Sequence, residues 1–422
     1  MKVLVLGLWH LGCVTAASCA KHFEVIGVDL EAANVDALQR GQLPISEPGL
    51  EALFRQGIET GRLKIRGEVD ESCSDVSVLW VTYDTPIDSD DRPNVDYVLN
   101  RLRGVLPSLS KETIVLISSQ LPAGTCRRLE DEFPRRAFAY SPENLRLGRS
   151  LLDFNEPERV IVGCRAVEVR ETLARLFEPF CANVIWMSSE SAEMTKHAIN
   201  AFLAVSVTFA NEIARLCEQV GADGKEVESG LKSDMRIGPR AYLSPGAAFA
   251  GGTLARDVNS LTDLAVASGE KLCLIPAIKH SNDRHKVWPL ERMRRQFETF
   301  RGRIFAVLGL TYKAGTNTLR RSQAVELCEL LLGEGCEVRV FDPVVKELPA
   351  GMVCAVLAED VGAAMRGADA VVVCTEWPEF LHLPWRRLVE EMRQPFVFDA
   401  GGFVRSVVSG GRAVYFSVGH KP

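Results

Sequence analysis

Two groups of residues in this sequence have types and spacing suited to chemistry. One is a glycine turn with an acid behind it, and the other is a row of polar side chains along a long helical segment. The turn Gly7-Leu-Trp-His-Leu-Gly12 follows the apolar run Lys2 to Leu6 and opens an Ala-rich stretch, and the run Glu24 to Val28 then ends at Asp29. Strand, glycine turn, helix, strand and acid in this order bring a dinucleotide's phosphates to a helix N-terminus and its ribose hydroxyls to a carboxylate. Asp29 favours NAD over NADP, because a 2′-phosphate would meet its charge. Trp9 stands at the second glycine position, where backbone must lie close to the pyrophosphate, so the pattern is imperfect.

The polar row is Glu193, Lys196 and Asn200, followed by Asn211 and Glu212. The first three fall at i, i+3 and i+7, which places them on one helix face. A solvated face is the bland explanation of such a row; the segments before and after it favour a site.

The element that must position the row is Ala192 to Asp223, which has no Pro and no Gly before Gly221. Ile199, Leu203, Val207, Ile213 and Leu216 recur at helical spacing, and the helix they predict spans roughly 45 Å. That length suits a spine between domains. Ahead of it, Pro44-Ile-Ser-Glu-Pro-Gly-Leu50 reads as a turn launching a helix. Strands are expected at Val76 to Val81, Thr113 to Ile117 and Arg159 to Gly163, with a helix at Val95 to Leu106. Polar, Pro-containing loops follow at Tyr83 to Pro86, Ser118 to Thr125 and Ser141 to Gly148, where an open parallel sheet binds its ligand.

Beyond the spine, Leu243 to Asp257 is dense in Gly and small residues, which means either a flexible linker or a loop pressed against a ligand. A second α/β unit begins at Arg303, with strands at Ile304 to Leu308, Glu337 to Phe341, Ala370 to Cys374 and Phe396 to Phe398, and a helix at Ser322 to Leu332. The expected fold is α/β, with two Rossmann-like doubly wound domains (1–188 and 301–422) joined by a long central helix within a helical segment, 189–300.

With 422 residues, 47% hydrophobic and 25% charged, the composition is that of a globular protein. A net charge of −6 argues against a nucleic-acid partner. No apolar run approaches the roughly 18 residues of a membrane span, and the N-terminus lacks the pattern of a signal peptide. The twelve cysteines show neither C-x-x-C nor a Cys/His metal spacing, so no metal is expected, and reduced core thiols of a cytoplasmic protein are.

The stretches GQLPISEPGLE, DTPID, LPAGT, SPENLRLG, AEMTKHAINAF, NEIARLCE, RIG, FAGGTLARDV, LGLTYKAGTNTLR, FDP and TEW stand in this order. Together they resemble the UDP-glucose/GDP-mannose dehydrogenase family over nearly the whole chain. The resemblance implies an NAD-dependent enzyme acting on a CH–OH group of a nucleotide sugar, most simply a UDP-sugar, and a homodimer built on the central helix. It implies that Glu143 handles water near the sugar carbon, that Lys196 and Asn200 stabilise a developing oxyanion, and that Asp257 assists water or a base. Gly7, Trp9, Gly12, Asp29, Thr85, Ser119, Gln120 and Arg320 would meet the cofactor. Asn144, Leu145, Arg236, Tyr242, Phe249, Gly252 and Lys313 would meet the substrate.

The sequence also departs from the family. Thr253 occupies the position of its nucleophilic cysteine, the group that carries an alcohol through aldehyde to acid by way of a thioester. Gln120, Leu147, Arg256 and Asn317-Thr318 replace further family residues, and Gly401-Gly402 replace an Arg-Asn pair. A threonine hydroxyl ionises far less readily than a thiol, and no neighbouring His is apparent to activate it. Three readings stand: a two-electron dehydrogenase without a covalent intermediate; a four-electron 6-dehydrogenase working through an aldehyde hydrate; and a redox-neutral epimerase or non-catalytic nucleotide-sugar binder.

Overall fold

Strand β1 (Lys2–Leu6) shows why the N-terminal sheet forms: Val3 and Val5 enter one buried cluster while Leu4 and Leu6 enter another. A strand apolar on both faces belongs inside a parallel sheet covered on both sides. The structure is a computed structural model describing residues 1–88, 92–143, 145–249, 252–408 and 411–421. Its Cα positions divide into two units, 1–199 and 200–422.

In the first unit, β1 is followed by β2 (Glu24–Val28), β3 (Leu63–Arg66), β4 (Val78–Val81), β5 (Ile114–Ile117), β6 (Phe138–Tyr140), β7 (Val160–Cys164) and β8 (Val184–Met187). The sheet order is β3-β2-β1-β4-β5-β6-β7-β8, parallel except where β6 meets β7. Reversal of the strand order between β1 and β4 creates the crevice at which such sheets bind dinucleotides.

The second unit repeats the plan with β9 (Ile304–Leu308), β10 (Glu337–Phe341), β11 (Val356–Leu357), β12 (Ala370–Val373), β13 (Phe396–Asp399) and β14 (Val414–Phe416), in the order β11-β10-β9-β12-β13-β14. Phe305 and Val307 of β9 face one cluster and Ala306 and Leu308 the other. The two Rossmann-like sheets expected from the sequence are present.

The spine is a single 32-residue helix, Ser189–Val220. It stops short of the expected Asp223, because that carboxylate accepts from the amides of Lys225 and Glu226 and caps the next helix, Gly224–Ser233. Its buried face is made of small and polar residues, Ala192, Glu193, Lys196, His197, Asn200, Ala201, Ala204 and Asn211 among them. Phe202, Phe209 and Leu216 are exposed.

Candidate active site

The glycine turn is fixed by sterics. Gly7 has φ 97°, and a Cβ on it would lie 2.6 Å from the Tyr83 ring and 2.9 Å from the Tyr83 amide nitrogen. A Cβ on Gly12 would overlap the Gly7 carbonyl. These two positions let the helix His10–Cys19 start directly beneath the turn, with the amides of its first turn lacking intrahelical acceptors. Trp9 has φ −86° and is 44% exposed, so its position does not need glycine's conformational freedom and its indole lies outward.

Asp29, at the end of β2, is buried and oriented toward this turn. Its carboxylate accepts from Leu8 N at 2.8 Å, Asn34 Nδ2 at 2.9 Å and Glu31 N at 3.0 Å. A carboxylate offers about four acceptor sites, so capacity for a ribose hydroxyl remains. Across the crevice, Thr85 donates to the Gln120 carbonyl at 2.6 Å, and the buried Ser119 hydroxyl has no partner, as is usual for a group that a ligand satisfies. These residues fit a dinucleotide. kcat/KM with NADP should fall below that with NAD by on the order of 10², through repulsion of the 2′-phosphate by Asp29. Asp29→Ala should narrow the gap, and equal use of both cofactors by the unaltered protein would refute the assignment.

Also in the first unit, Lys196 is buried on the spine and its Nζ donates to the Glu143 main-chain carbonyl. The structure therefore brings Lys196 and Glu143 together through backbone. The Glu143 carboxylate accepts from the Leu145 amide. Asn144 lies outside the described residues.

Sequence reasoning missed what holds the far end of this loop. Buried Glu47 accepts from Gly148 N at 3.0 Å and Ser150 N at 2.7 Å, and His10 Nε2 lies 3.3 Å from Glu47 and 3.0 Å from Ser150 Oγ. Burial alone would raise the Glu47 pKa, but the two amides and His10 outweigh it and hold it below the usual range. The signal was present as a glutamate inside Pro44 to Leu50, read only as a turn.

In the second unit, the Asn200 amide donates to the buried Asp257 carboxylate. Thr253 sits one turn before Asp257 in the first turn of helix Gly252–Ser268; it is exposed, and none of the described residues hydrogen-bonds its side chain. The described part of the small-residue loop, up to Phe249, is held in place, contrary to a flexible linker. Asn282 accepts from Phe249 N at 2.9 Å and donates to Phe249 O at 3.0 Å, and Asn211 accepts from Gly246 N at 2.9 Å. His285 Nε2 donates to Gly246 O at 2.8 Å, and Gln323 donates to Ala248 O at 2.8 Å. Phe249 thus lies in a held loop, Gly252, Thr253 and Asp257 lie in the start of the helix, and Asn200 meets that helix from the spine through Asp257.

Arg236 is paired with Asp234 at the surface, and Tyr242 is exposed; among the described residues neither hydrogen-bonds that group. Lys313 is half-buried in the loop after β9, and Arg320 is exposed. Arg321 beside it has φ 60°, the one non-glycine positive φ among the described residues, which marks this loop as held under strain.

Asp342, at the end of β10, repeats the Asp29 arrangement by accepting from Leu310 N at 2.7 Å, and it also accepts from Trp377 Nε1 at 3.1 Å. A Cβ at Gly401 would meet the Glu376 carboxylate, so a side chain there requires that carboxylate to swing aside.

Residues 1–181 match the NAD binding domain of the UDP-glucose/GDP-mannose dehydrogenase family, residues 190–284 its central domain and residues 306–406 its UDP binding domain. A UDP-glucose 6-dehydrogenase of Pseudomonas aeruginosa is 34% identical over 421 residues, which is 94% of this chain and 93% of that protein. One from Rhizobium meliloti is 31% identical, covering 96% of each. A solved UDP-glucose dehydrogenase from Pyrobaculum islandicum superposes with a TM-score of 0.87 at 27% identity, over 99% of this chain and 98% of the other. UDP-D-ManNAc dehydrogenase from Pyrococcus horikoshii gives 0.86 at 26% identity, over 99% of each. With three domain matches in order and a relative above 30% identity over nearly its full length, this chain belongs to the UDP-glucose/GDP-mannose dehydrogenase family and is an NAD-dependent nucleotide-sugar dehydrogenase.

Proposed function

We propose that the protein oxidises a CH–OH group of a UDP-sugar by hydride transfer to NAD without a covalent sugar–enzyme intermediate. The observation that carries this reading is the contrast between the buried Asn200–Asp257 pair and exposed Thr253, whose hydroxyl hydrogen-bonds none of the described residues. NAD supplies the hydride acceptor. Lys196 and Asn200 are the fixed donors for the alkoxide that develops as the hydroxyl loses its proton, and Asp257 relays that proton. The products are an aldehyde or ketone, NADH and a proton. Glu143, Lys196, Asn200, Thr253 and Asp257 are the residues we assign to this chemistry.

The relatives named UDP-glucose 6-dehydrogenase favour a second reading, in which water adds to the aldehyde and a second hydride leaves from the hydrate. A screen of nucleotide sugars with NAD, counting NADH per sugar consumed, separates the two readings. Intact-protein mass spectrometry during turnover should show no sugar-sized adduct with any substrate, and Thr253→Ala should keep first-step activity within about tenfold of the unaltered enzyme. An adduct lost in Thr253→Ala together with abolished activity would sink the noncovalent mechanism.

The working form we propose is a homodimer through the spine helix, in the cytoplasm. Phe202, Phe209 and Leu216 recur every seven residues and are 70%, 45% and 62% exposed, a stripe whose burial against a twofold mate is favourable. All twelve cysteines are free thiols, and no helix among the described residues is long and apolar enough to cross a membrane. Light scattering should give twice the chain mass, and the double variant Phe202→Asp/Phe209→Asp should give the monomer. A monomeric unaltered protein at micromolar concentration refutes the dimer.

A further inference from the structure

Glu193 opened the polar row on the spine, yet no step of the proposed chemistry uses it. It is fully buried, and among the described residues no Lys or Arg forms an ion pair with it. Its carboxylate instead accepts from Gly124 N at 2.6 Å and Cys126 N at 2.8 Å, capping the helix Thr125–Glu132. An uncompensated buried carboxylate is costly unless its oxygens are fully used. Burial pushes its pKa up, against the pull of the two amides.

The capped amides end the loop Ser118 to Gly124, which leaves β5. The same loop starts tied to the sheet, with the Ser118 and Ser119 amides donating to the Val81 carbonyl and the Ser118 hydroxyl to the Ser141 carbonyl. Farther along, His197, one residue past Lys196 on the spine, lies 3.2 Å from the Leu121 carbonyl, and Thr85 holds the Gln120 carbonyl. Two of these holds, those of Glu193 and His197, therefore come from one turn of the spine, the turn whose Lys196 also holds the Glu143 carbonyl. Between these holds sits the buried Ser119 hydroxyl, without a partner.

We infer that Glu193, supported by His197, is a positioning residue for the cofactor: it fixes the Ser118–Gly124 loop on the spine so that Ser119 and Gln120 meet NAD. This rests on the assignment of that loop to the cofactor. A cap that served only helix stability would have no reason to share its turn with a second hold on the same loop. Gln at 193 keeps one acceptor oxygen and replaces the other with an NH₂ that cannot accept, so it releases one of the two amides while preserving side-chain volume.

The test uses the full chain and three variants, Glu193→Gln, His197→Ala and Ser119→Ala. NADH affinity is measured by fluorescence titration, UDP affinity by calorimetry and folding by thermal melting. Glu193→Gln is expected to weaken NADH about tenfold while UDP affinity stays within about twofold; His197→Ala should act in the same direction by a smaller factor. Unchanged NADH affinity in folded Glu193→Gln, with Ser119→Ala weakened, overturns the clamp and leaves the loop assignment standing. Unchanged affinity in both overturns the loop assignment and the clamp with it. Equal weakening of NADH and UDP alongside a lowered melting temperature shows a purely structural cap and also overturns the inference. If Glu193→Gln does not fold, His197→Ala decides by the same criteria.

Discussion

Lys196→Ala is expected to lower the rate constant of hydride transfer by about 10² or more, as removal of a preorganised donor to a developing oxyanion does. Lys196 is buried and its Nζ already serves the Glu143 carbonyl. Truncation therefore removes both a charge and a tether, and the two effects can be told apart. Loss of the tether alone costs about 1 kcal/mol of stability and acts on substrate binding, raising KM. Loss of a transition-state donor lowers kcat and kcat/KM together and leaves NADH affinity intact. Stopped-flow absorbance of the first NADH formed, alongside thermal melting, reads both. A rate within fivefold of the unaltered enzyme, whatever happens to KM, would remove Lys196 from the chemistry and leave it as a loop anchor.

How much of this was legible in the sequence depends on what each element borders. β1, β2 and β9 lie at the residues their apolar runs mark, because a strand buried on both faces shows itself without alternation, and β10 shows itself by the alternation of Val338 and Val340 with Glu337 and Arg339. β3, with the sequence Leu-Lys-Ile-Arg, is a partly polar edge, β6 has three residues, and two-residue β11 is too short for any period. The polar row was visible at i, i+3 and i+7, but its partners were not. They stand 53 to 69 residues away in the chain, and only the fold decides that Glu193 reaches two amides, Lys196 a carbonyl and Asn200 a carboxylate. Asn211, Asn282 and His285 hold the small-residue loop through its backbone. Such side-chain-to-backbone contacts leave no motif at their own positions.

His285 should make the stability of the protein depend on pH from just below neutrality. It is buried on the helix Leu274–Lys286, with Nε2 donating to Gly246 O and Nδ1 without a partner. Burial pushes its pKa down to about 4; the Gly246 contact opposes this, Arg215 and Arg292 add to it, and Glu291 opposes it. An unfolded chain protonates the same ring near 6.5. Above that value the ring is neutral in both states and contributes nothing. As pH falls from 6.5 to about 4, only the unfolded chain binds the proton. Stability is therefore lost by roughly 1.4 kcal/mol per pH unit, about 3 kcal/mol in all, with no further loss from this group below about 4. Glu228, held down at about 2 by its hydrogen bonds from Lys232, Ser244 and Lys225 despite burial, adds a loss that starts lower, below about 4.5. Comparison with His285→Asn subtracts that common part. At pH 8 the variant should be the less stable by about 1 kcal/mol, for the lost hydrogen bond to Gly246. Below pH 6.5 the gap should close and then reverse, because the variant has no proton to exclude. Urea unfolding of both proteins from pH 8 to pH 4 measures this, and a constant gap across the range would show that the ring titrates normally in the folded protein. Because His285 holds Gly246 in the loop that carries Phe249, the same acid limb should appear as a rise in KM for the nucleotide sugar before global unfolding begins, since the protonated ring favours conformations in which that loop has opened to water.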